Sequence, residues 1–382
     1  MIGGSANHCT RGRVRSPTQT ARIRLKGGHY AMADFLVVVG WVLTYSAMVN
    51  PIGMLAGVVL LFAAQVIAPA QDEALALIRN GKREASYVHD PSTILRENGD
   101  YWFFCTGVGV SSWRSKDLVR WERGPRVFET PPAWITNVVA QQRGHFWAPE
   151  AIFHNGRYLV YYSVSRFGVN TSAIALVSNK TLDPDRPEYA WKDEGIVIES
   201  VRTNNFNAID PHVIEAPKGE LWMSFGSFWS GIKLVQLDSE TGKCIAKDAP
   251  LYSIAYHRQI EAPAIHHHDG NFYLFVNWGL CCRGTNSSYE IRVGRSREIT
   301  GPYLDKDGTE MLKDGGTLFL ETDGSFIGPG HAGIFEAEGQ SWFSCHFYDG
   351  TRRGAATLAI RPLRWREDGW PALDPIQKEP KQ

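Results

Sequence analysis

Beyond residue 84 one short pattern recurs five times, and a recurrence of this kind limits the fold more than any other feature of the chain. His89-Asp90-Pro91-Ser92-Thr93-Ile94 is followed by Asn98-Gly99 and the aromatic run Tyr101-Trp102-Phe103-Phe104. Trp147-Ala148-Pro149-Glu150-Ala151-Ile152 is followed by Asn155-Gly156 and Tyr158-Leu159-Val160-Tyr161-Tyr162. Ile209-Asp210-Pro211-His212-Val213-Ile214 leads to Lys218-Gly219 and Leu221-Trp222-Met223. Ile260-Glu261-Ala262-Pro263-Ala264-Ile265 leads to Asp269-Gly270 and Phe272-Tyr273-Leu274-Phe275. Gly328-Pro329-Gly330-His331-Ala332-Gly333-Ile334-Phe335 leads to Glu338-Gly339 and Trp342-Phe343. Each unit reads as a short apolar strand, a turn whose Gly supplies positive φ, and an aromatic strand.

With Asp90, Glu150, Asp210, Glu261 and His331 as markers, the spacings are 60, 60, 51 and 70 residues. That is the size of a four-stranded blade with one or two long loops. The fold class predicted is all-β: a five-bladed β-propeller over residues 85–378, whose first strands line a central channel. Pro and Gly recur too often here for long helices. A pair of β-sandwiches would not repeat Pro, Ile, Gly and Tyr or Trp at matched offsets. Propellers also serve as binding platforms, so the fold alone names no activity.

Residues 1–84 are a different kind of sequence. Arg11, Arg13, Arg15, Arg22, Arg24 and Lys26 precede Asp34, the first acid, and residues 35–70 carry no charge. Asn50-Pro51 splits that stretch, and its second run, residues 52–70, is 19 residues long, enough to cross a bilayer core. It ends in Ala68-Pro69-Ala70, the small-x-small pattern of a signal-peptidase site. A cleaved signal peptide, an uncleaved membrane anchor and a buried helical hairpin are the three readings. The first two place the propeller in a secreted or periplasmic setting, with membrane contact only through the N-terminal segment.

Lys plus Arg and Asp plus Glu are both 40, so the net charge is zero, which argues against a nucleic-acid partner held by bulk electrostatics and fits a neutral polysaccharide better than polygalacturonate. Six cysteines in 382 residues exclude a disulfide framework. The chemistry lies in the blade starts. Asp90, Asp210 and Glu261 are expected to meet at one end of the axis. A single Asp before Pro ordinarily caps a turn; three carboxylates at repeat positions in an aromatic-lined channel point instead to glycoside hydrolysis. One would activate water, one would donate a proton to the leaving oxygen, and a third would raise the donor's pKa by like-charge repulsion.

These motifs resemble glycoside hydrolase family 43, in particular its arabinan endo-1,5-α-L-arabinosidase branch. The resemblance covers residues 85–375 and rests on His89–Ser92, Phe146–Glu150, Ala208–Val213, Gly226–Ile232, Ile260–Pro263, Cys281–Gly284, Val293–Ser296 with Gly301–Tyr303, and Gly328–His331. It implies an inverting hydrolase of arabinan or arabino-oligosaccharides, with Asp90 as general base, Glu261 as general acid and Asp210 as the tuning carboxylate. It implies that His331 helps hold one metal ion, usually calcium, through waters, and that no organic cofactor is needed. Ala332 departs from the Asn that relatives often carry there, which leaves that metal shell less complete. Glu150 stands where relatives often have Asp and is expected to support the site.

His89, Trp147, Glu150, Ser227, Phe228 and Trp229 are the candidates for sugar contact. Phe146 and the other aromatics read either as core or as sugar platforms. Cys281-Cys282 is either a thiol pair or a vicinal disulfide at the pocket rim. His266-His267-His268 reads as a surface strand with its rings on alternating faces. Asn170, Asn179 and Asn286 begin glycosylation sequons. The chain is expected to be monomeric. Exo-acting α-L-arabinofuranosidase or β-xylosidase action depends on loops such as 128–146 and 199–208. Enzymes of the fructan-cleaving group begin with Asn-Asp-Pro, and His89 takes that Asn position here. A catalytically silent arabinan-binding propeller is the reading from another class.

Overall fold

The computed structural model describes residues 87–374. The basic leader, the apolar runs, and the signal and anchor expectations attached to residues 1–84 lie outside the described residues. Among the described residues no helix is long and apolar enough to cross a membrane.

Five antiparallel sheets follow one another along the chain. Blade one holds β1 (Leu95–Glu97), β2 (Asp100–Cys105) and, past the two-residue β3 (Gly107–Val108), β4 (Ser111–Ser115) and β5 (Glu122–Arg123). The helical turn α1 (Ile135–Val138) leads to blade two: β6 (His145–His154), β7 (Arg157–Val164), β8 (Ser172–Asn179) and β9 (Lys192–Ser200), with β3 added on the β6 edge. Blade three is β10 (His212–Glu215), β11 (Leu221–Phe225), β12 (Ile232–Leu237) and β13 (Tyr252–Ala255). Blade four is β14 (Ile260–His268), β15 (Asn271–Trp278), β16 (Glu290–Ser296) and β17 (Thr317–Leu320). Blade five is β18 (Phe326–Ala337), β19 (Gln340–Asp349), β20 (Ala355–Trp365) and β21 (Pro371–Leu373). This is the expected five-bladed propeller.

The turn chemistry explains the first hairpin of four of the five blades. Asn98-Gly99, Asn155-Gly156, Asp269-Gly270 and Glu338-Gly339 are two-residue loops with positive φ at both positions. That conformation matches the twist of the strands it joins. The aromatic strands then alternate between two cores. Tyr158, Val160 and Tyr162 pack towards blade one, and Leu159 and Tyr161 towards blade three. Phe272, Leu274 and Val276 face blade three, and Tyr273 and Phe275 face blade five. Period-two burial on both faces thus makes every blade contribute to two of the five interblade cores.

Apart from β3, which leaves blade one to pair with β6, each sheet uses strands contiguous in sequence, and the first and last blades close the ring without exchanging a strand. Closure rests on packing of Phe103, Trp113 and Trp121 against Phe335, Trp342 and Leu358. The Val88 N–H donates to Ala356 O at 3.1 Å, and the Tyr101 hydroxyl to Glu338 Oε1 at 3.0 Å.

The innermost segments share a device that the sequence markers misaligned. Asp90, Ala148, Asp210, Ala262 and His331 all have left-handed backbone, with φ of 51°, 41°, 57°, 50° and 62°. Four of the five precede Pro, and His331 precedes Ala332. The ladder slips at three of them: between Trp147 and Glu150, between Glu261 and Ala264, and around Gly330. In blade one the pairing resumes on either side of Asp90-Pro91, Thr106 N–H to His89 O at 3.0 Å and Ser92 N–H to Phe104 O at 2.8 Å. The structural repeat is therefore this bulge. Glu261 lies one residue before it and Glu150 two residues after it.

That offset corrects the expectation for Glu150. It is 3% exposed, and it faces the interior of the propeller rather than the cleft. Its Oε2 accepts the Thr93 N–H at 2.9 Å, and its Oε1 lies 3.7 Å from His212 Nε2. Burial raises its pKa to about 8, and burial lowers that of His212 to about 3, so the two neighbours are both neutral near pH 7.

The His266–His268 tract is also not a bare surface strand. His266 and His268 stack on Trp365 of blade five, at centroid distances of 5.8 and 3.8 Å, while His267 meets Phe272. Two of the three sequons are closed to modification: Asn170 and Asn179 are buried. The Asn170 amide instead donates to Val201 O, Asn204 O and Phe206 O and so shapes the loop at 199–208.

Burial of Glu150 predicts an unusual pH dependence of stability. Between about pH 4.5, where the exposed carboxyl of the unfolded chain titrates, and about pH 8, the folded protein holds a proton that the unfolded chain has released. Stability is therefore lost as pH rises across that window, by at most about 1.4 kcal/mol per pH unit from this group. Urea denaturation across the window should show a shallower slope for Glu150→Gln than for the wild type; equal slopes would remove Glu150 as the cause.

Candidate active site

The bulges aim three carboxylates at one end of the axis, where they line a single cavity of about 940 Å³. Asp90, Asp210 and Glu261 all open onto it, together with His89, Thr106, Tyr289 and His331. The expected convergence is thus present, although Glu261 comes from a different repeat position from the two Asp residues.

Asp90 is surrounded by a hydroxyl and three imidazoles. Thr106 Oγ1 donates to Oδ2 at 2.6 Å, and His89 Nδ1 lies 2.8 Å from the same oxygen. His331 Nδ1 and His346 Nδ1 lie 3.6 and 3.7 Å from Oδ1. Burial alone would push this carboxyl up. The His89 charge and hydrogen bond, with His331 and His346 behind them, outweigh burial and hold Asp90 well below the ordinary carboxylate range. In return Asp90 raises the pKa of His89 against the opposing effect of burial.

Asp210 and Glu261 behave in the opposite way. Burial comes first for both. Asp210 is pushed well above the usual range by burial, then by the charges of Glu261 and Asp90, and the Ala262 N–H offsets only part of this. Glu261 is raised by burial and by Asp90, against hydrogen bonds from Ser227 and Tyr289. Ser227 Oγ donates to Oε2 at 2.6 Å, and the Tyr289 hydroxyl donates to Oε1. The site therefore holds one carboxylate kept ionised beside a coupled pair pushed towards the protonated form.

The backbone that carries these groups is fixed across blade boundaries. Ser227 forms an isolated bridge with Glu261, and the Phe228 N–H donates to Ile260 O at 2.7 Å. The loop needs Gly231, since a Cβ there would lie 2.3 Å from Ala255 O. The Asp210 N–H donates to Ser163 Oγ at 3.1 Å. The His331 N–H donates to Asn277 Oδ1 at 2.8 Å. Gly330 leaves room for the Tyr289 ring, which a Cβ would meet at 2.4 Å.

The sugar-contact candidates divide. Trp147, Phe228 and Trp229 line the cavity, and Trp229 is 42% exposed. Ser227 lines it too, but its hydroxyl is spent on Glu261, and His89 is tied to Asp90. Phe146 belongs to the core between blades one and two. Phe167 escaped the sequence reading: it is 75% exposed, lies on the cavity wall and meets Trp147 at 4.9 Å. Its loop position, outside any repeat, gave no signal. Thr106, Tyr289 and His346 escaped as well, because each is contributed by a later strand or loop rather than by a repeat start.

Cys281 and Cys282 form a vicinal disulfide on the cavity wall. Metal-ligand atoms converge in two groups among the described residues, His89 with the two sulfurs and His89 with Asp90 and His346; neither includes His331. Calcium takes six to eight oxygens. Asp90 is the carboxylate beside His331, one of its oxygens is held by Thr106 and His89, and the other neighbours are imidazoles. These side chains do not make a calcium cage.

Comparison with known proteins agrees with this geometry. Glycosyl hydrolases family 43 matches residues 85–371. An extracellular exo-alpha-(1->5)-L-arabinofuranosidase of Cellvibrio japonicus is 42% identical over 302 residues, covering 75% of this chain and 86% of that protein. An extracellular endo-alpha-(1->5)-L-arabinanase of Bacillus subtilis is 41% identical over 293 residues, covering 75% of this chain and 87% of that protein. The solved structure of a Cellvibrio cellulosa alpha-L-arabinanase complexed with arabinohexaose superposes with a TM-score of 0.73 at 41% identity, covering 76% of this chain and 96% of the other. This chain is a member of glycosyl hydrolases family 43.

Proposed function

We propose that the protein hydrolyses internal α-1,5-L-arabinofuranosidic bonds in arabinan with inversion, as a secreted, monomeric enzyme. One observation carries the reading: the environments push the pKa of Asp90 down and those of Asp210 and Glu261 up within one cavity. Carboxyls driven apart in this way are suited to base and acid roles at the same pH.

Asp90, ionised, takes a proton from a water as its oxygen attacks the anomeric carbon. Glu261, protonated, gives its proton to the glycosidic oxygen as that bond breaks. The charge lost at one end of the reaction is thus gained at the other. Asp210 and Glu261 resist ionising together, and this mutual repulsion keeps a proton on the pair for Glu261 to donate. Trp147, Phe167 and Trp229 offer flat faces for furanose rings at the rim. The names of the two relatives above differ in exo and endo action at nearly equal identity. Exo release of arabinose is therefore the second reading, and product length decides between them. No calcium is routed through these steps.

Debranched linear arabinan incubated with the purified protein and followed by chromatography should give oligomers of mixed length at early times; arabinose alone from the start selects the exo reading. Asp90→Ala and Glu261→Ala should each lose about 10²–10⁴-fold in kcat while keeping the wild-type melting temperature. Retained turnover in either would sink the assignment.

The basic limb of the kcat profile reports loss of the Glu261 proton. Asp210→Asn removes the repelling charge, so the Glu261 pKa falls and that limb should move to lower pH. An unmoved limb would leave Asp210 without its tuning role.

A further inference from the structure

We propose that Tyr348 is a positioning residue that links the Cys281–Cys282 disulfide to Asp90, so that reduction of this disulfide slows the reaction. The inference rests on the hydrolase reading above and deepens it.

Three contacts form an unbroken line. The Cys282 N–H donates to the Tyr348 hydroxyl oxygen at 2.7 Å. That oxygen lies 2.8 Å from His89 Nε2. His89 Nδ1 lies 2.8 Å from Asp90 Oδ2. When His89 is neutral the phenol donates to Nε2, and when it is charged the phenol accepts from it; Nε2 is held in both states.

The His89 ring stacks on His346 with centroids 4.1 Å apart. Stacking sets the plane of the ring but not which nitrogen faces Asp90. The Tyr348 hydrogen bond sets that. Tyr348 itself has little freedom: it is 3% exposed in β19, against Gly328, where a Cβ would lie 3.2 Å from its ring.

The other end of the line is open to solvent. Cys282 is exposed on the cavity wall, with left-handed backbone at φ 65°. Non-Gly residues avoid that conformation, and here the bond to Cys281 closes the turn that holds it. A dithiol such as dithiothreitol supplies two electrons and two protons. The Cys281–Cys282 bond breaks to give two thiols, and the reagent becomes its own disulfide. Cys282 is then free to leave the left-handed turn and withdraw its N–H from Tyr348.

The test measures kcat and KM on debranched arabinan for the wild type, Tyr348→Phe and the Cys281→Ser, Cys282→Ser double variant, each with and without dithiothreitol. Tyr348→Phe should lose about tenfold in kcat with KM within about twofold. Reduction should lower wild-type kcat by a similar factor and leave both variants unchanged, and the serine pair should match the reduced wild type. A rise in KM alone on reduction, losses that multiply in Tyr348→Phe, or an unaffected Tyr348→Phe would each overturn the link. Oxidised wild type that turns over no arabinan overturns the hydrolase reading and this inference with it. Turnover that ignores both Tyr348→Phe and dithiothreitol overturns the link alone.

Discussion

The structure depends on a left-handed residue at the start of every blade. A regular inner strand would point successive side chains at the two neighbouring blades, and every side chain would be consumed by packing. At Asp90, Ala148, Asp210, Ala262 and His331 the positive φ interrupts the ladder and turns a side chain towards the axis. Proline after four of these residues supports the interruption, because it has no N–H to lose from the ladder. Each such residue costs on the order of 1–3 kcal/mol, which the interblade cores must offset. Blades two and four fill the position with Ala, the least demanding side chain, whereas blades one, three and five use it for Asp90, Asp210 and His331.

Because the axis belongs to no single blade, each carboxylate is completed from elsewhere. Asp90 is held by Thr106 of its own blade and by His331 and His346 of blade five. Asp210 of blade three has its N–H on Ser163 of blade two and receives the Ala262 N–H from blade four. Glu261 of blade four is bound by Ser227 of blade three and by Tyr289. The first and last blades meet here without exchanging a strand, so the hydrogen bonds around Asp90 span the seam of the ring.

How much of this was legible in the sequence follows from what sequence encodes locally. The hairpins were legible because Asn98-Gly99 and its counterparts specify their turn with two residues. The blades were legible because the hairpins repeat. Convergence of Asp90 and Asp210 followed from the repeat, since equivalent positions in a ring face one axis, and Glu261 reaches the same cavity from one residue before its own blade's position. The register of the repeat was not legible: Glu150 and Glu261 were aligned with Asp90, although the structural equivalents are Ala148 and Ala262. A carboxylate attracts notice and an alanine does not, yet φ rather than charge defines the position. Tyr289, His346 and Tyr348 were invisible for another reason: their partners are 28, 256 and 259 residues away, and no local pattern marks such pairs.

The choice of countercharge follows from the same chemistry. The charged and hydrogen-bonding groups that touch Asp90, Asp210 and Glu261 are imidazoles, hydroxyls and backbone N–H groups, whereas the guanidinium-bearing Arg166 and Arg283 are exposed on the cavity wall. A guanidinium beside Glu261 would stabilise its anion, and every 1.4 kcal/mol of that stabilisation would lower its pKa by about one unit. The proton that the leaving oxygen needs would then be lost to solvent before the reaction. On the Asp90 side the His89 imidazole, whose pKa Asp90 raises, adds positive charge only there, and hydroxyls from Ser227 and Tyr289 orient Glu261 without contributing a charge. Burial does the rest, raising the two carboxyls that favour the protonated form, while chiefly His89 overcomes it at the one that must stay ionised.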